Sequence, residues 1–358
     1  MSASFHPLKI ADVRREIDDA VSLRFELPEE LRDTFRFVPG QHLTLRTELD
    51  GEDIRRNYSI CAAPHEDELR VAIKRINGGV FSTWANSALA PGDMLDVMPP
   101  HGSFTWSFDP KRAATYVGFA GGSGITPVIA LLKTALVAEP ESSFTLLYGN
   151  RTSSSIMFLE ELAALKNRFL DRLQIYHFLS QEQEDVELFN GRLDSGKIAE
   201  VLRSIVDPMA IDAAFICGPG PMMDAAEQGL IDAGVPSEKI LIERFTVGEM
   251  SAEQAAAARA LEQQAAGLKV QVTLEGRRRT LAFDAEKGSI LENARVAGLP
   301  APFACKAGVC ATCRARLISG KVTMKANYGL SAQEVAQGYV LTCQAVPLTD
   351  DVVLDYDA

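Results

Sequence analysis

Four cysteines near the end of the chain constrain it more than any other feature. Cys305, Cys310 and Cys313 follow the spacing Cys-x4-Cys-x2-Cys, and Cys343 comes after 29 further residues. Two irons bridged by two sulfides need four thiolates, and this is the spacing of a [2Fe-2S] loop. The residues between the ligands are Lys306, Ala307, Gly308, Val309, Ala311 and Thr312. Most are small, so backbone N–H groups can turn toward the sulfurs and tune the cluster. Two other readings stay open on spacing alone. A four-cysteine zinc site favours two separated Cys-x2-Cys-like pairs, and a disulfide framework suits an oxidising compartment.

The loop sits in a section, 268–358, with its own element pattern. KVQVTLEG and RRTLAFDA read as a hairpin, SILENARVAG as a helix and DVVLDY as a last strand. Together with the phrase PFACKAGVCATC, this section resembles plant-type ferredoxins. The resemblance implies an α+β (β-grasp) 2Fe-2S domain.

A chain of 358 residues has room for two or three domains. Residues 1–110 alternate short β-rich runs (AVSLRFEL, QHLTLRT, RNYSIC, LRVAIKR) with Pro/Gly turns, which predicts an antiparallel β-barrel. Residues 111–247 alternate apolar strands (TYVGFA, FTLLYGN, LQIYHFLS, AAFICG, ILIERF) with helical stretches, which predicts an α/β domain with a parallel sheet. Residues 248–267 include the Ala/Gln/Glu-rich run SAEQAAAARALEQQAAG, expected to be a helical interdomain linker. A surface helix of the middle domain is the alternative. As a linker, the run would let the ferredoxin section swing between electron source and acceptor.

Arg56, Asn57, Tyr58 and Ser59 form an Arg-x-Tyr-Ser run, followed by Ile73, Lys74, Arg75 and then Gly78 to Ser82. A guanidinium binds phosphate through a rigid fork, and an aromatic face stacks on a planar ring. A Gly-Gly turn entering a helix offers N–H groups to a pyrophosphate. These runs are similar to the two flavin segments of ferredoxin–NADP+ reductases. By that resemblance Arg56 pairs with the flavin diphosphate, Asn57 belongs to the same cofactor-binding run, Tyr58 packs on the ring, and Ser59 sits where hydride arrives. Ile73, Lys74, Arg75, Gly79, Val80, Phe81 and Ser82 form the second segment. FAD is the expected flavin, although related phthalate dioxygenase reductases hold FMN.

Gly122, Ser123, Gly124, Thr126 and Pro127 lie in GGSGITP, between the strand TYVGFA and the helix PVIALLKTALVA. Glycines let backbone approach a pyrophosphate at a helix N-terminus, and proline suits the first turn. Gly-x-Gly-x-x-Pro is the reductase family's form of this motif. Cys217, Gly218, Pro219 and Met222 match its second nicotinamide-side motif, with Cys217 near the reacting carbon. Glu243 and Phe245 match its acidic-x-aromatic ending, with Phe245 covering the flavin face. Ser180-Gln181-Glu182 stands where many NADP-specific relatives have Ser-Arg-Glu. Gln181 removes that arginine, and Arg151 with Ser153 to Ser155 offers a replacement. No acidic residue ends FTLLYGN to repel a 2′-phosphate. The expectation is NADP, with NADPH preferred over NADH.

Net charge is −12, which argues against nucleic acid as a partner. No run of about 18 apolar residues suggests a membrane span, and the first residues lack a signal-peptide core, so a cytoplasmic location is expected. The five histidines form no zincin, di-iron or Rieske pattern, so oxidation chemistry is assigned to another protein. A redox-sensing scaffold is the reading from a different class, and the Ser59, Cys217 and Glu243 set argues against it. Over nearly the whole chain except the linker, the sequence resembles the reductase components of phenylacetyl-CoA epoxidases (RNYSIC, YGNRTSSSIMF, FICGPGPMMDAAE, ANYGLSAQEVAQGYVLTCQA). That implies a di-iron oxygenase as electron acceptor in phenylacetate breakdown. A reductase of the same architecture serving a hybrid-cluster protein or a Rieske oxygenase is the alternative. Residues 268–358 carry eleven Lys/Arg against nine Asp/Glu, and Lys306, Arg314, Arg316, Lys321 and Lys325 lie on or just after the loop. These cations suggest a cluster face that meets an acidic partner.

Overall fold

The computed structural model describes residues 5–245 and 252–358. The boundary expected at 247 and the first four linker residues, 248–251, lie outside them. Contacts divide the chain into two compact units. One holds 6–45 and 58–245, and the other holds 46–57 with the C-terminal section.

The first section is an antiparallel sheet of β1 (His6–Ile17), β2 (Ala20–Glu26), β3 (His42–Leu49), β4 (Glu52–Ser59), β5 (Leu69–Lys74) and β6 (Met94–Val97). The strand order is β4-β3-β6-β1-β2-β5. A bridge between Ile60 and Val71 joins the two edge strands. The Cys61 N–H donates to the Arg70 carbonyl at 2.9 Å beside it. The sheet therefore curls into a barrel, the arrangement the turn-punctuated short strands predict. Alternation sets its inner face: Leu8, Ile10, Leu23, Phe25, Leu43 and Leu45 are buried. One helix, α1 (Val80–Ser87), follows β5.

The second section is a parallel sheet of β7 (Thr115–Gly121), β8 (Ser143–Asn150), β9 (Leu173–Leu179), β10 (Ala213–Cys217) and β11 (Ile240–Glu243). Its order is β11-β10-β7-β8-β9. The chain builds outward from β7 in one direction, then returns to place β10 on its other side. The crevice between the carboxyl ends of β7 and β10 is thus the topological switch point, where open α/β sheets bind ligands. The helices are α2 (Ile125–Ala138), α3 (Leu159–Arg168), α4 (Ser195–Ser204) and α5 (Gly220–Asp232). Almost the whole length of α2 from Ile125 to Leu136 is buried, which marks it as a central helix.

The C-terminal unit begins its described part with α6 (Ala252–Gln264), inside the Ala-rich run. Its end is fastened to the ferredoxin section. Leu261 is partly buried against that core, Ala265 is buried in it, and Glu262 pairs with Lys325 at 2.5 Å. Then come β12 (Lys269–Leu274), β13 (Arg277–Ala282), α7 (Ile290–Val296), β14 (Arg314–Ser319), β15 (Val322–Met324), α8 (Ala332–Ala336), β16 (Tyr339–Leu341), β17 (Ala345–Pro347) and β18 (Val352–Asp355). The main sheet has the order β13-β12-β18-β14-β16, with β12 and β18 parallel, and α7 packs into the core beside it. This is the expected α+β section. Among the described residues no helix is long and apolar enough to cross a membrane.

Candidate functional site

The cysteine loop follows α7, whose N-terminus is capped by the Ser289 hydroxyl accepting from the Glu292 N–H. Lys306, Gly308 and Ala311 take positive φ values of 53°, 77° and 54°. This alternation turns the backbone inward. The N–H groups of Ala307 and Val309 donate to Cys305 Sγ at 3.3 and 3.4 Å. At Gly308 a Cβ would also press on the Ala326 carbonyl at 3.0 Å, so the loop requires glycine there. Cys310, Cys313 and Cys343 are buried and Cys305 is half-buried, and all six cysteines of the chain are free.

The four thiols associate as two pairs, Cys305 with Cys310 and Cys313 with Cys343. Hydrogen bonding within each pair pushes Cys305 and Cys313 up and draws Cys310 and Cys343 down. Among the described residues no three His, Cys, Asp or Glu side chains converge as on a single ion. Four free thiols, three of them on one loop whose N–H groups already turn to the Cys305 sulfur, make a donor set that fits a two-iron, two-sulfide group. Their inward N–H groups would stabilise sulfur charge.

The cations around this loop are less available than the sequence suggests. Lys306 pairs with Glu292 at 2.8 Å and Arg314 with Glu334 at 2.7 Å. Lys325 is taken by Glu262 of α6 and by the Gly288 carbonyl at 2.8 Å. The Phe303 ring, two residues before Cys305, lies under the Arg295 guanidinium at 4.1 Å and the Lys306 ammonium at 4.5 Å.

Strand β4 carries Arg56, Asn57, Tyr58 and Ser59. Arg56 donates to the Arg55 carbonyl at 2.7 Å. The Tyr58 ring tilts 34° from Phe81, centroid to centroid 5.6 Å. Ser59 is 2% exposed, and its hydroxyl has no hydrogen-bond partner among the described residues. A buried hydroxyl without a partner costs about 1–3 kcal/mol, so Ser59 fits a site completed by a bound polar group such as a flavin edge. Ile73 is buried in the barrel, and Lys74 lies 3.8 Å from Asp19. Burial, partly offset by Asp19, lowers the Lys74 pKa, and Arg151 lowers it further. The Arg75 N–H donates to the Asp19 carbonyl at 2.6 Å. At the following turn the Ser82 hydroxyl accepts from the Ile76 N–H at 3.0 Å and donates to the Gly79 carbonyl at 3.3 Å. A Cβ on Gly79 would sit 2.6 Å from that hydroxyl. Ser82 therefore shapes the turn that opens α1, while Val80 stands exposed at its first position.

At the switch point two glycine loops interlock. A Cβ on Gly124 would run into the Cys217 carbonyl, and one on Gly218 would lie 2.9 Å from the Gly121 nitrogen. A Cβ on Gly121 would meet Pro219 at 2.5 Å and the Met222 sulfur at 3.0 Å. Gly122, at φ +51°, has open space at its Cβ position. The Tyr148 hydroxyl donates to the Gly122 carbonyl at 2.9 Å, and Thr126 donates to the Ser123 carbonyl at 3.0 Å. Pro127 falls in the first turn of α2, where its missing N–H costs nothing. The result is a backbone cradle at a helix N-terminus, which fits a dinucleotide pyrophosphate. Cys217 is paired in register with Glu243 of β11. Its thiol is buried and pushed well up by burial and by the Glu243 charge. Phe245, just beyond, is 40% exposed, available to cover a planar ring.

Arg151 is exposed at the end of β8, and its carbonyl accepts from the Gln181 N–H at 2.8 Å. The Ser180 N–H donates to the Asn150 carbonyl at 3.1 Å. Sequence reasoning missed Glu182. Its carboxylate accepts from both the N–H and the hydroxyl of Ser153, at 2.9 and 3.1 Å. Ser155 donates to the Thr152 carbonyl at 2.7 Å. These hydroxyls hold their own turn, and the acid reaches it from the neighbouring strand end, which spacing along one strand does not reveal.

Comparison with known proteins matches this organisation. The Oxidoreductase FAD-binding domain matches residues 7–106, the Oxidoreductase NAD-binding domain 119–228, and the 2Fe-2S iron-sulfur cluster binding domain 272–348. The chain is 45% identical to a component protein of the 1,2-phenylacetyl-CoA epoxidase of Escherichia coli (strain K12), over 99% of this chain and 98% of that one. It is 34% identical to the ferredoxin reductase component of 3-ketosteroid-9-alpha-monooxygenase of Rhodococcus rhodochrous, over 98% and 96%. Among solved structures, phthalate dioxygenase reductase shares the fold, with a TM-score of 0.61 at 24% identity over 98% of both chains. An intact type IV self-sufficient cytochrome P450 monooxygenase superposes with a TM-score of 0.71 at 22% identity, and the chain spans 41% of that longer protein. The chain thus belongs to the family of this phenylacetyl-CoA epoxidase component and related reductases, oxidoreductases with FAD-binding, NAD-binding and 2Fe-2S ferredoxin domains that serve as electron-transfer components of multicomponent monooxygenases.

Proposed function

We propose that this reductase works in the cytoplasm, draws electrons from NADPH and delivers them singly to the di-iron oxygenase component of a phenylacetyl-CoA epoxidase. The observation that carries the acceptor is the 45% identity to the epoxidase component, which runs through the ferredoxin section as well as the flavin and nicotinamide sections. The 34% relative serving a ketosteroid monooxygenase supports, less closely, a different oxygenase as acceptor.

When bound, the flavin accepts a two-electron hydride and gives electrons up one at a time, which suits a cluster that takes them singly. The chain's residues supply position. The interlocked Gly121–Gly124 and Cys217–Gly220 loops hold the dinucleotide at the switch point. Ser59 offers a desolvated hydroxyl at the hydride-accepting edge, and Arg56 neutralises the flavin diphosphate. Glu243 and Cys217 line the nicotinamide side, and Phe245 excludes water from the ring until nicotinamide displaces it. The Ala307 and Val309 N–H groups offset charge on the Cys305 sulfur. Cofactor preference is a balance in which the Arg151 charge favours a 2′-phosphate and the Glu182 carboxylate, held at Ser153 of the same turn, opposes it.

The test couples the purified reductase to the oxygenase component and phenylacetyl-CoA under NADPH. Substrate-dependent NADPH oxidation with epoxide formation supports the reading. Efficient cluster reduction with no electron delivery to that oxygenase overturns the acceptor. An Arg151→Ala variant should lower the NADPH-to-NADH ratio of kcat/KM by about tenfold, a loss of ~1.4 kcal/mol in one charged contact. An unchanged ratio removes Arg151 from that role.

A further inference from the structure

Lys133 lies on α2, two turns past the cradle that opens the helix, and only 2% of its side chain is exposed. Its ammonium is 2.6 Å from Glu66 Oε2 and 2.8 Å from Glu161 Oε1. Arg70 Nη2 donates to both oxygens of Glu161 at 3.0 Å, and its Nε lies 2.9 Å from Glu68. Glu66 also accepts from the Ala63 N–H at 2.7 Å. The members come from different places in the chain. Glu66 and Arg70 belong to the barrel, Lys133 to α2 and Glu161 to α3. Through Arg70 the network reaches the flavin strand's continuation, because the Arg70 carbonyl accepts from the Cys61 N–H at 2.9 Å and from its thiol at 3.4 Å.

Lys133 is buried while its carboxylate partners stay partly exposed, and desolvating an ammonium for such a network contributes little net stability over a well-packed apolar residue, so its presence needs another account. The network's bonds are directional, while apolar contacts tolerate sliding. The rest of α2 is buried through Ile, Val, Leu and Ala side chains that would accept a shifted register. We propose that Lys133, Glu66, Glu161 and Arg70 are positioning residues for hydride transfer, which lock α2 onto the flavin barrel and so fix where the nicotinamide meets the Ser59 strand. This inference rests on the flavin and nicotinamide placements proposed above. A helix transmits an axial slip at Lys133 over the ~12 Å to its N-terminal cradle with little loss. A misplacement of about 1 Å can cost ~100-fold in rate.

The test uses the full-length holoenzyme with Lys133→Met, which keeps the apolar stem and removes the charge. Glu66→Gln is the milder variant should Lys133→Met fail to fold. Stopped-flow flavin reduction by NADPH should slow by about 30-fold in Lys133→Met and about fivefold in Glu66→Gln. The KM for NADPH should change less than about threefold, with flavin content and the reduced-cluster EPR signal as in the parent. Calorimetry gives a second readout. The barrel and nicotinamide sections should melt as one transition in the parent and as two in the variants. Hydride transfer within about twofold of the parent, or an undivided transition in a variant that folds, overturns the proposal. A rise in KM that accounts for the whole loss also overturns it, since that is a binding role. If the parent itself shows no flavin reduction by NADPH or NADH, the underlying reading has failed, independently of any variant.

Discussion

The carbonyl of Cys217 occupies the space where a side chain on Gly124 would begin. Cys217 opens the loop after β10 and Gly124 closes the loop after β7, side by side at the switch point of the parallel sheet, and each loop fills the space the other's missing side chains leave. Gly124→Ala must therefore push the Cys217–Met222 loop away from its neighbour. Backbone against backbone has no rotamer to relieve it. We expect the KM for NADPH to rise by about tenfold or more in a ferricyanide assay, with flavin content and cluster signal retained. Parent-like KM would show that the loops can part without cost.

Ser59 supports a test of opposite signs. Its buried hydroxyl has no partner among the described residues, so Ser59→Ala should stabilise the flavin-free protein by about 1 kcal/mol. In the flavin-loaded protein the same change should slow hydride transfer by about tenfold or more. Urea melts of the two forms, alongside stopped-flow reduction, separate these effects. A destabilised flavin-free variant would mean the hydroxyl has an internal partner.

The two thiol pairs predict what losing one ligand does. Cys343→Ala, which puts a methyl that cannot ligate iron in place of the thiol, should leave NADPH able to reduce the flavin and abolish the reduced-cluster EPR signal, with iron content falling toward zero. Electron delivery to the oxygenase should fall to background. A retained EPR signal would mean that Cys343 is not a ligand.

What was legible in the sequence was whatever lies within a few residues. The cysteine loop announces itself because three cysteines share nine residues, and the inward N–H groups follow from the small residues between them. The Gly-x-Gly-x-x-Pro turn is legible for the same reason. Contacts made across the fold were not. The meeting of Gly124 with Cys217 depends on the sheet order that places β10 beside β7. Glu182 reaches Ser153 only because β8 and β9 end side by side. Lys325 read as a surface cation, and Glu262 as part of a linker, until the end of α6 brought them together. Charge counts could not foresee that Lys306, Arg314 and Lys325 would be answered internally. An acidic docking partner would have to compete with Glu292, Glu334 and Glu262 for them. Lys325→Glu would place two carboxylates together at the base of α6, so it tests the packing of that helix more directly than partner docking.

His42 makes the barrel's stability depend on pH. Its ring is buried, lies 4.2 Å from that of His101, and leaves little room at Gly102, whose Cβ would be 2.8 Å from His42 Nδ1. Burial, and then the charge of His101, holds the His42 imidazole well below its ordinary value of 6.5. The folded form therefore resists a proton that the unfolded chain accepts. Stability is at its full value above about pH 6.5 and falls as the pH drops toward the depressed folded value, with a slope of up to about 1.4 kcal/mol per unit. Denaturant midpoints should fall between about pH 7.5 and about pH 5.5, in conditions where carboxylates remain ionised. His42→Gln keeps a polar planar group and cannot titrate, so its midpoint should change less over the same range. An equal fall in the variant would move the effect to other histidines, and the half-buried His177, whose pKa is also lowered by desolvation, would be the next to replace.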